Sequence, residues 1–451
     1  MIERLRTVPA LLATKADTML QGRVTAVSGL AVEVAGFASQ AAVGDRVALQ
    51  GRSGSVLAAE IIGFREGRAQ AMALAPLEGL GQGSPAFLRL RAEARRSGLG
   101  ISDGWLGRVV DPLGRPLDGR GPLPQGTLRP VRAAPPEAAG RARLGPRIDL
   151  GVRALDLFAT CRQGQRLGLF AGSGVGKSTL MAMLARRAAC DVAVFTLVGE
   201  RGREVREFVE DELGLAGLAR SVVVVSTSDA PPLLRREAAY AAMAAAEHFR
   251  DQGKSVLLMM DSVTRFCLAL REVALAAGEP PATRGYPPSV FAELPRLLER
   301  AGPGPDGAKP GHITALFTVL VEGDDHNEPV ADAVRGILDG HVILDRRIAE
   351  GGRYPAVDVL RSLSRTVPGC LDQDEAALAR RARAVLALHA EMADMVRLGA
   401  YRPGSDPAVD EAIRLTPRIE SVLRQGRDEA ADIGGAFAAL RNALEGSADA
   451  P

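Results

Sequence analysis

The stretch LFAGSGVGKSTLM, residues 169–181, constrains the fold of this chain more than any other part of its sequence. The apolar run QRLGLF that leads into it is typical of a buried strand, and the run STLMAMLARRA that closes it is typical of a helix. Glycines between the two permit a tight turn whose backbone N–H groups converge at the start of the helix, where the helix dipole favours an anion. A strand, a glycine-rich turn and a helix in this order predict a phosphate-binding loop.

The residues of this loop have separate predicted roles. Lys177 can reach the β and γ oxygens of a nucleoside triphosphate, and the hydroxyl of Ser178 can bind Mg²⁺. Ala171 stands where the pattern usually has its first glycine, but the inner glycines and the Lys-Ser pair are intact. We expect the following residues to bind the nucleotide: Gly172, Ser173, Gly174, Val175, Gly176, Lys177, Ser178 and Thr179.

The composition describes a globular chain with an ample core. Of its 451 residues, 47% are apolar and 24% are charged, and the usual domain size predicts roughly three domains. A formal net charge of +2 is too balanced for bulk charge to hold nucleic acid or an acidic membrane. The four scattered cysteines form no CxxC pair, which argues against disulfides and against a zinc site. The sequence lacks the apolar runs of a signal peptide or a membrane span, so we expect a cytoplasmic protein.

Changes in sequence pattern divide the chain into four parts. Residues 1–20 place apolar side chains at roughly helical intervals, and we expect a partner-binding segment there, although a frayed terminus fits equally well. Residues 21–92 show short strands split by glycines, as in a small antiparallel β-barrel. Residues 93–366 alternate near-continuous apolar strands with helices, which predicts a parallel sheet covered on both faces. Residues 367–451 carry helical periodicity, which predicts a helical domain.

Two acidic residues lie where predicted strands end. Asp261 closes the run SVLLMMD, and open α/β sheets place their ligands at such carboxyl ends. An aspartate there is often only a helix cap, but the phosphate-binding loop upstream favours a ligand of Mg²⁺ or of its water. Glu200 closes the run VAVFTLVGE and is the candidate general base that orients the attacking water. The alternative is that Glu200 and Glu204 only pair with neighbouring arginines on a solvated turn.

Two further candidates lie in the stretch IAEGGRYPAVDVLRSLSR. Tyr354 follows a Gly-Gly turn and is a candidate to cover an adenine face, although an isolated tyrosine is more often a packing residue. Arg365 is either a surface charge or an arginine finger that one subunit donates to the γ-phosphate of its neighbour. The finger would make activity depend on oligomerisation.

Several long stretches together resemble one known family. AGSGVGKST, VGERGREV, LLMMDSVTRF, TRGYPPSVFAELPRLLERAG and GAYRPGSDPAVDEAI are similar to the ATPases of type III protein export, which comprise the flagellum-specific ATPases and their injectisome relatives. These enzymes are in turn similar to the catalytic β subunits of rotary ATP synthases. The resemblance covers nearly all of residues 106–413. It implies an α/β fold with a RecA-like P-loop ATPase core, a small N-terminal β-barrel domain and a C-terminal helical domain.

Carried over position by position, the resemblance implies an ATPase site that uses ATP and Mg²⁺. Its implied catalytic residues are Lys177, Glu200, Arg201, Asp261 and Arg365. Ser178 and Asp261 would serve the metal, and Tyr354 would stack on the adenine. Arg201 and Arg265 resemble arginines that organise the same site.

The resemblance also implies partners, a location and a function. Members of the family form a homohexameric ring that binds a stator-like regulator at the N-terminus and surrounds a coiled-coil stalk protein. The ring docks on export-gate membrane proteins and acts on chaperone–substrate complexes, with no specific nucleic acid. We therefore expect a cytoplasmic ATPase, peripherally associated with the inner membrane, that drives protein export in a flagellum rather than in an injectisome.

Other functions of the same core stay open from the sequence. An injectisome ATPase is one alternative, and a rotary synthase or V-type catalytic subunit is another, although GYPPSVFAELPRLLERAG and VEGDDHNEP favour the export branch. An RNA translocase would need aromatic and basic residues on its barrel. The aromatics within residues 21–92 are Phe37, Phe64 and Phe87, which we expect in the barrel core. A docking platform for chaperones, with hydrolysis secondary, is the last alternative.

Overall fold

The computed structural model describes residues 19–89, 98–321 and 328–446. Nearly all of the predicted partner-binding segment, residues 1–20, lies outside these ranges, as does the predicted barrel boundary at residue 92. Within them the chain forms a β-barrel, a central α/β domain and a set of C-terminal helices. The predicted fold class is therefore confirmed.

The N-terminal domain is a closed antiparallel barrel. Its strands are β1 (Met19–Ser28), β2 (Ala31–Ala35), β3 (Arg46–Gln50), β4 (Val56–Arg65), β5 (Arg68–Ala73) and β6 (Pro85–Arg89), in the order β1-β2-β5-β4-β3-β6. Alternate side chains such as Val32 and Val34 point inward and fill the barrel. Phe37 lies in this core, but Phe64 is 42% exposed, so the expectation that it packs inside is wrong.

A nine-stranded sheet forms the centre of the molecule. Its strands are β8 (Arg108–Val110), β12 (Arg166–Ala171), β13 (Val192–Glu200), β14 (Ser221–Thr227), β15 (Ser255–Asp261), β16 (Gly302–Pro303), β17 (His312–Leu320), β18 (Gly340–Leu344) and β19 (Leu363–Ser364). The order is β19-β18-β12-β17-β15-β13-β14-β8, with β16 beside β17. All pairings from β18 to β8 are parallel, so the carboxyl ends of β12, β13 and β15 meet at one edge of the sheet.

Two small ribbons flank this sheet: β7 (Gly98–Ile101) pairs with β9 (Thr127–Pro130), and β10 (Arg147–Ile148) pairs with β11 (Cys161–Arg162). The helices of the central domain are α1 (Arg153–Phe158), α2 (Lys177–Arg187), α3 (Gly202–Glu207), α4 (Gly214–Ala219), α5 (Pro232–Arg250), α6 (Val263–Ala276), α7 (Pro288–Leu298), α8 (Pro329–Ile337) and α9 (Arg346–Glu350). A π-helix, Phe208–Leu213, joins α3 to α4. The side chain of Ser262 caps α6 by accepting the N–H of Arg265.

Helices cover both faces of the sheet, as the near-continuous apolar strands predict. Successive residues of a strand point to opposite faces. In β12, Leu169 therefore packs with α2 in one hydrophobic cluster, and Phe170 packs with the alanine-rich α5 in the other. The first cluster continues into the C-terminal helices through residues such as Leu415 and Phe437. The helical domain thus shares one core with the sheet that carries the phosphate-binding loop.

The C-terminal domain consists of α10 (Gln373–Arg397), α11 (Pro407–Leu423) and α12 (Ile433–Glu445). Its first helix begins with a capping box, in which Asp372 accepts the N–H of Glu375 and Glu375 accepts the N–H of Asp372. No helix within the described ranges is both long and apolar enough to cross a membrane.

A group of charged side chains centred on the buried Glu60, Arg236 and Glu237, the barrel–core cluster, joins the barrel to α5. It contains Arg46, Glu60, Arg132, Arg236 and Glu237. Arg236 lies 2.8 Å from carboxylate oxygens of both Glu60 and Glu237, and Arg132 reaches the same two carboxylates. Because Glu60 belongs to β4 and Arg236 to α5, these ion pairs fix the barrel on the central domain.

Candidate active site

The phosphate-binding loop spans the gap between the last residue of β12 and the first residue of α2. Gly174 and Gly176 have φ angles of 78° and 88°, in the left-handed region that favours glycine. No described side chain caps the first turn of α2, so the N–H groups there are free of a competing side-chain acceptor. The side chain of Val175 is buried beneath the loop, which leaves its backbone to contact a ligand.

A cleft of about 640 Å³ opens above this loop, a volume typical of a small-molecule site. The predicted nucleotide-binding residues line it, apart from Val175 and Tyr354. Glu200 and Arg201 line the same cleft from the end of β13, together with Arg265 at the start of α6. The structure therefore brings most of the residues predicted from separate motifs to one place.

Lys177 lies between two acidic residues at the floor of the cleft. Its Nζ is 2.5 Å from Oδ1 of Asp261 and 3.9 Å from Oε1 of Glu200. Arg265 Nε lies 3.5 Å from the same Glu200 oxygen. The two carboxylates end neighbouring strands, β13 and β15, whose parallel register places Leu197 beside Asp261. The convergence of these side chains thus follows from the strand order.

Glu200 has the electrostatic setting of a general base. Its residue is only 9% exposed. Burial and, next, the negative charge of Asp261 raise the pKa of Glu200 to about 7, against the opposing effects of Lys177 and Arg265. A base is most useful when its pKa lies near the working pH. The alternative that Glu200 pairs only with arginines on a solvated turn does not fit this buried position.

The residues predicted to serve Mg²⁺ have oxygen donors, which this cation prefers. Ser178 lines the cleft, and Asp261 lies behind Lys177 at the end of β15. No group of three or more His, Cys, Asp or Glu side chains within the described ranges could hold a metal ion by itself. This donor set fits an ion that takes most of its ligands from phosphate oxygens and water.

Tyr354 lies against the outside of the phosphate-binding loop. A Cβ atom added at Gly176 would be 3.4 Å from the tyrosine ring, and Tyr354 is 47% exposed. The N–H of Gln425 donates to the carbonyl of Tyr354 at 2.9 Å, which anchors the aromatic from the helical domain. An exposed ring face beside the loop is available to a planar base.

Comparisons with known proteins place the chain in a family. Three family models match: the ATP synthase alpha/beta family β-barrel domain over residues 24–86, its nucleotide-binding domain over residues 151–364, and the T3SS EscN ATPase C-terminal domain over residues 371–442. The flagellum-specific ATP synthase of Caulobacter vibrioides is 54% identical, over 94% of this chain and 96% of the relative. The type 3 secretion system ATPase of Xanthomonas euvesicatoria is 47% identical, over 96% of this chain and 95% of the relative.

One solved structure shows how far the fold agrees. The assembled ATPase EscN of the enteropathogenic E. coli type III secretion system, in complex with its central stalk EscO, superimposes with a TM-score of 0.83. It is 37% identical and covers 94% of this chain and 100% of that chain. The chain belongs to the type III secretion ATPases. The predicted family is confirmed, and with it the assignment to ATP-hydrolysing enzymes.

Two of the predicted catalytic arginines of this type III secretion ATPase lie away from the buried centre. The side chain of Arg201 is 75% exposed and pairs with Glu204 at 3.4 Å, as the solvated-turn alternative expects for the arginine. Arg365 follows β19, is exposed, and donates its backbone N–H to the carbonyl of Asp339. Asp339 lies beside Arg166 at the start of β12.

The position of Arg365 separates it from the phosphate-binding loop of its own chain. It lies level with the start of β12, whereas the loop begins where β12 ends. A six-residue strand is about 17 Å long. Within one subunit, therefore, the structure does not bring Arg365 to the site.

Three site residues were missed by the sequence reasoning. Arg346 donates to the carbonyl of Ser173 at 3.1 Å, and Thr318 donates to Oδ1 of Asp261 at 2.7 Å. Glu212, in the π-helix, accepts the hydroxyl of Thr179 at 3.2 Å. The signals for the first two were present, since Arg346 lies two residues beyond β18 and Thr318 is a polar residue near the end of β17. The sequence prediction was limited to carboxylates at strand ends, so it included neither residue.

Proposed function

We propose that this chain is the ATPase of a flagellar protein-export apparatus and that the cleft above the phosphate-binding loop is its catalytic site. The observation that carries the proposal is the position of Glu200, whose pKa is raised to about 7. It lies in the same cleft as the loop, within 3.9 Å of Lys177. A phosphate cradle and a base poised near neutral pH form the minimum arrangement for attack of water on a γ-phosphate.

Each residue has one task in this mechanism. Glu200 orients the attacking water and takes its proton. Lys177 and the N–H groups of the loop hold the β and γ phosphates and stabilise the charge that develops on them. Tyr354 would hold the adenine, and Ser178 and Asp261 would hold Mg²⁺ directly or through water. The ion, when bound, neutralises charge on the β and γ phosphates.

The proposed active form is a homohexameric ring. Arg365 is exposed and lies far from the loop of its own chain, so as a finger it would serve a neighbouring subunit. Arg365 follows edge strand β19, and a head-to-tail ring can place this edge of one subunit against a different surface of the next. That EscN is known as an assembled ATPase supports this proposal.

The proposed partners follow from the family. EscN binds a central stalk, EscO, and we propose a coiled-coil stalk in the equivalent place of this ring. The N-terminal segment would bind a stator-like regulator, and the assembled ring would meet export-gate proteins and chaperone–substrate complexes. These partners would keep the ATPase in the cytoplasm at the inner membrane. No specific nucleic acid is part of this proposal.

Substitution of Glu200 tests the catalytic proposal. Glu200→Gln should bind a fluorescent ATP analogue as tightly as the wild-type protein does, while its turnover falls by about a hundredfold or more, because an amide cannot accept the proton. Glu207→Gln is the matched control, since this exposed glutamate ends α3 and its salt bridge among the described residues is to Arg203, at 3.6 Å. Full turnover in Glu200→Gln would refute the assignment.

Export in cells distinguishes a motor from a docking platform and a flagellum from an injectisome. A Lys177→Ala strain should export flagellar proteins as poorly as a deletion strain does, because the variant cannot hold the phosphates. Clearly better export in Lys177→Ala than in the deletion strain would favour the docking platform.

A second experiment distinguishes a flagellum from an injectisome. The chain should restore motility to a bacterium that lacks its flagellar ATPase. Rescue only of an injectisome mutant would favour the alternative that the Xanthomonas relative represents.

A further inference from the structure

The hydroxyl of Thr318 is buried against the carboxylate predicted to serve Mg²⁺. Thr318 lies in β17, a central strand of the sheet, and has no exposed surface. Its Oγ1 donates to Oδ1 of Asp261 at 2.7 Å. Met260 pairs with Phe317 in the register of β15 and β17, so the residues that follow, Asp261 and Thr318, are neighbours on adjoining strands. The hydrogen bond is therefore set by the strand register rather than by a movable loop.

The carboxylate of Asp261 has few partners. Among the described residues, Lys177 and Thr318 are the side chains that donate hydrogen bonds to it, and both use Oδ1. Lys177 is also the residue that the phosphates of ATP would draw toward the loop. Once the ammonium group contacts phosphate, the hydroxyl of Thr318 is the side-chain donor that still orients Asp261.

A second threonine, Thr264, links the end of β17 to the start of α6, just after Asp261. The hydroxyl of Thr264, near the start of α6, accepts the N–H of Leu320 at the end of β17. Thr318 and Thr264 thus link β17 to the residues on either side of the turn that follows Asp261. The backbone of Thr318 also pairs with Leu169 of β12, which runs into the phosphate-binding loop.

We propose that Thr318 is a positioning residue that holds the carboxylate of Asp261 in the orientation that serves Mg²⁺ when ATP is bound. Because Lys177 and Thr318 both donate to Oδ1, the other carboxylate oxygen would be available to Mg²⁺ or its water. Groups that orient metal-side ligands typically contribute about tenfold to a hundredfold to metal affinity or activity. This inference rests on the proposed role of Asp261.

The test uses three variants of the full-length protein. Thr318→Val keeps the shape and removes the hydroxyl, whereas Thr318→Ser keeps the hydroxyl. Thr196→Val is the matched control: Thr196 is equally buried, pairs with Met260 on the opposite side of β15, and has a hydroxyl without a hydrogen-bond partner among the described residues. Urea unfolding of the control shows what loss of a buried hydroxyl does in this sheet.

Binding of Mg²⁺ is measured separately from turnover. In a Glu200→Gln background that holds a fluorescent ATP analogue, Mg²⁺ is titrated and the half-saturating concentration is read from the fluorescence. Thr318→Val should raise that concentration about tenfold and leave the affinity for the analogue without Mg²⁺ unchanged. Thr318→Ser and Thr196→Val should stay within about twofold of the Glu200→Gln parent.

Three outcomes would overturn the inference or its basis. A Mg²⁺ titration of Thr318→Val that matches the parent would overturn it, and so would an equal loss in Thr318→Ser, which would point to packing. Asp261→Asn separates the two proposals. If Asp261→Asn loses the Mg²⁺ response and Thr318→Val keeps it, only the role of Thr318 fails. If Asp261→Asn binds Mg²⁺ normally, the metal-side role of Asp261 fails as well.

Discussion

At the scale of single residues, the proposed mechanism makes activity depend on the charge of Glu200. Burial and the charge of Asp261 raise its pKa to about 7, so the carboxyl is protonated and unable to accept a proton at lower pH. We expect kcat/KM, measured at saturating Mg²⁺, to rise as the pH increases through about 7 and then to level off, because kcat/KM reports ionisation of the free enzyme. A kcat/KM that is unchanged between about pH 6 and pH 8 would contradict this role.

The exposed ring of Tyr354 gives a second prediction at this scale. Tyr354→Ala should raise the KM for ATP by about fivefold, corresponding to about 1 kcal/mol of lost aromatic contact, and should leave kcat nearly unchanged. Tyr354→Phe is the control, since it keeps the ring and loses only the hydroxyl. A fall in kcat with an unchanged KM would instead assign the tyrosine to the chemical step.

The sequence was most informative about single residues where the chemistry is local. The pattern of the loop located Lys177 and Ser178, and strand-end carboxylates located Glu200 and Asp261, because a buried strand followed by a charged residue is visible in one short stretch. Thr318 and Arg346 are visible as polar residues near strand ends, but their partners, Asp261 and Ser173, are distant in the sequence, so a single stretch does not display these contacts. The exposure of Arg201 likewise results from the direction in which α3 leaves the sheet.

At the scale of secondary-structure elements, the barrel–core cluster fixes α5 to the barrel. Burial by itself would raise the pKa of Glu237, but the nearby charges of Arg236, Arg132 and Arg46 outweigh it and lower that pKa to about 2. A carboxyl whose pKa is lowered in the folded state stabilises the fold above its ordinary pKa of 4.5, and this contribution is lost as the pH falls toward about 2.

Glu237→Gln therefore should lower the free energy of unfolding by about 3 kcal/mol at neutral pH, because it leaves the buried guanidinium group of Arg236 with one carboxylate fewer. The difference from the wild-type protein should persist at pH 5 and shrink toward about pH 3. Urea unfolding at each pH measures it. Glu207→Gln, which removes a surface pair, should change stability by less than about 0.5 kcal/mol, and equal effects of the two substitutions would contradict the role of the cluster.

The sequence predicted the long apolar strands of the sheet but not the short ones. β13, β15 and β17 were expected because strands buried on both faces are near-continuous apolar runs. β8 and β19 have three and two residues, too few for any period to be recognised. Both are edge strands, so the sequence did not reveal where the sheet ends or that Arg365 lies at one of its edges.

At the scale of the whole molecule, each subunit has the parts of two half-sites, which the proposed ring would complete. The loop, Glu200 and Asp261 lie at the carboxyl end of the sheet, and Arg365 lies at an edge near the opposite end. A barrel fixed by ion pairs and a helical domain that shares the core with β12 would let each subunit move as one body. Release of the γ-phosphate would then break a contact between subunits rather than within one.

If Arg365 acts on the site of a neighbouring subunit, as proposed, mixing two inactive variants should restore ATP turnover. Arg365→Ala keeps its own loop and loses the finger, whereas Lys177→Ala keeps the finger and loses phosphate binding. ATP turnover of each variant alone should be close to background. Random mixing in equal amounts should restore activity at up to about a quarter of the sites, where an intact loop meets an intact finger. Turnover that stays at background in the mixed rings, or full turnover by Arg365→Ala alone, would contradict the account.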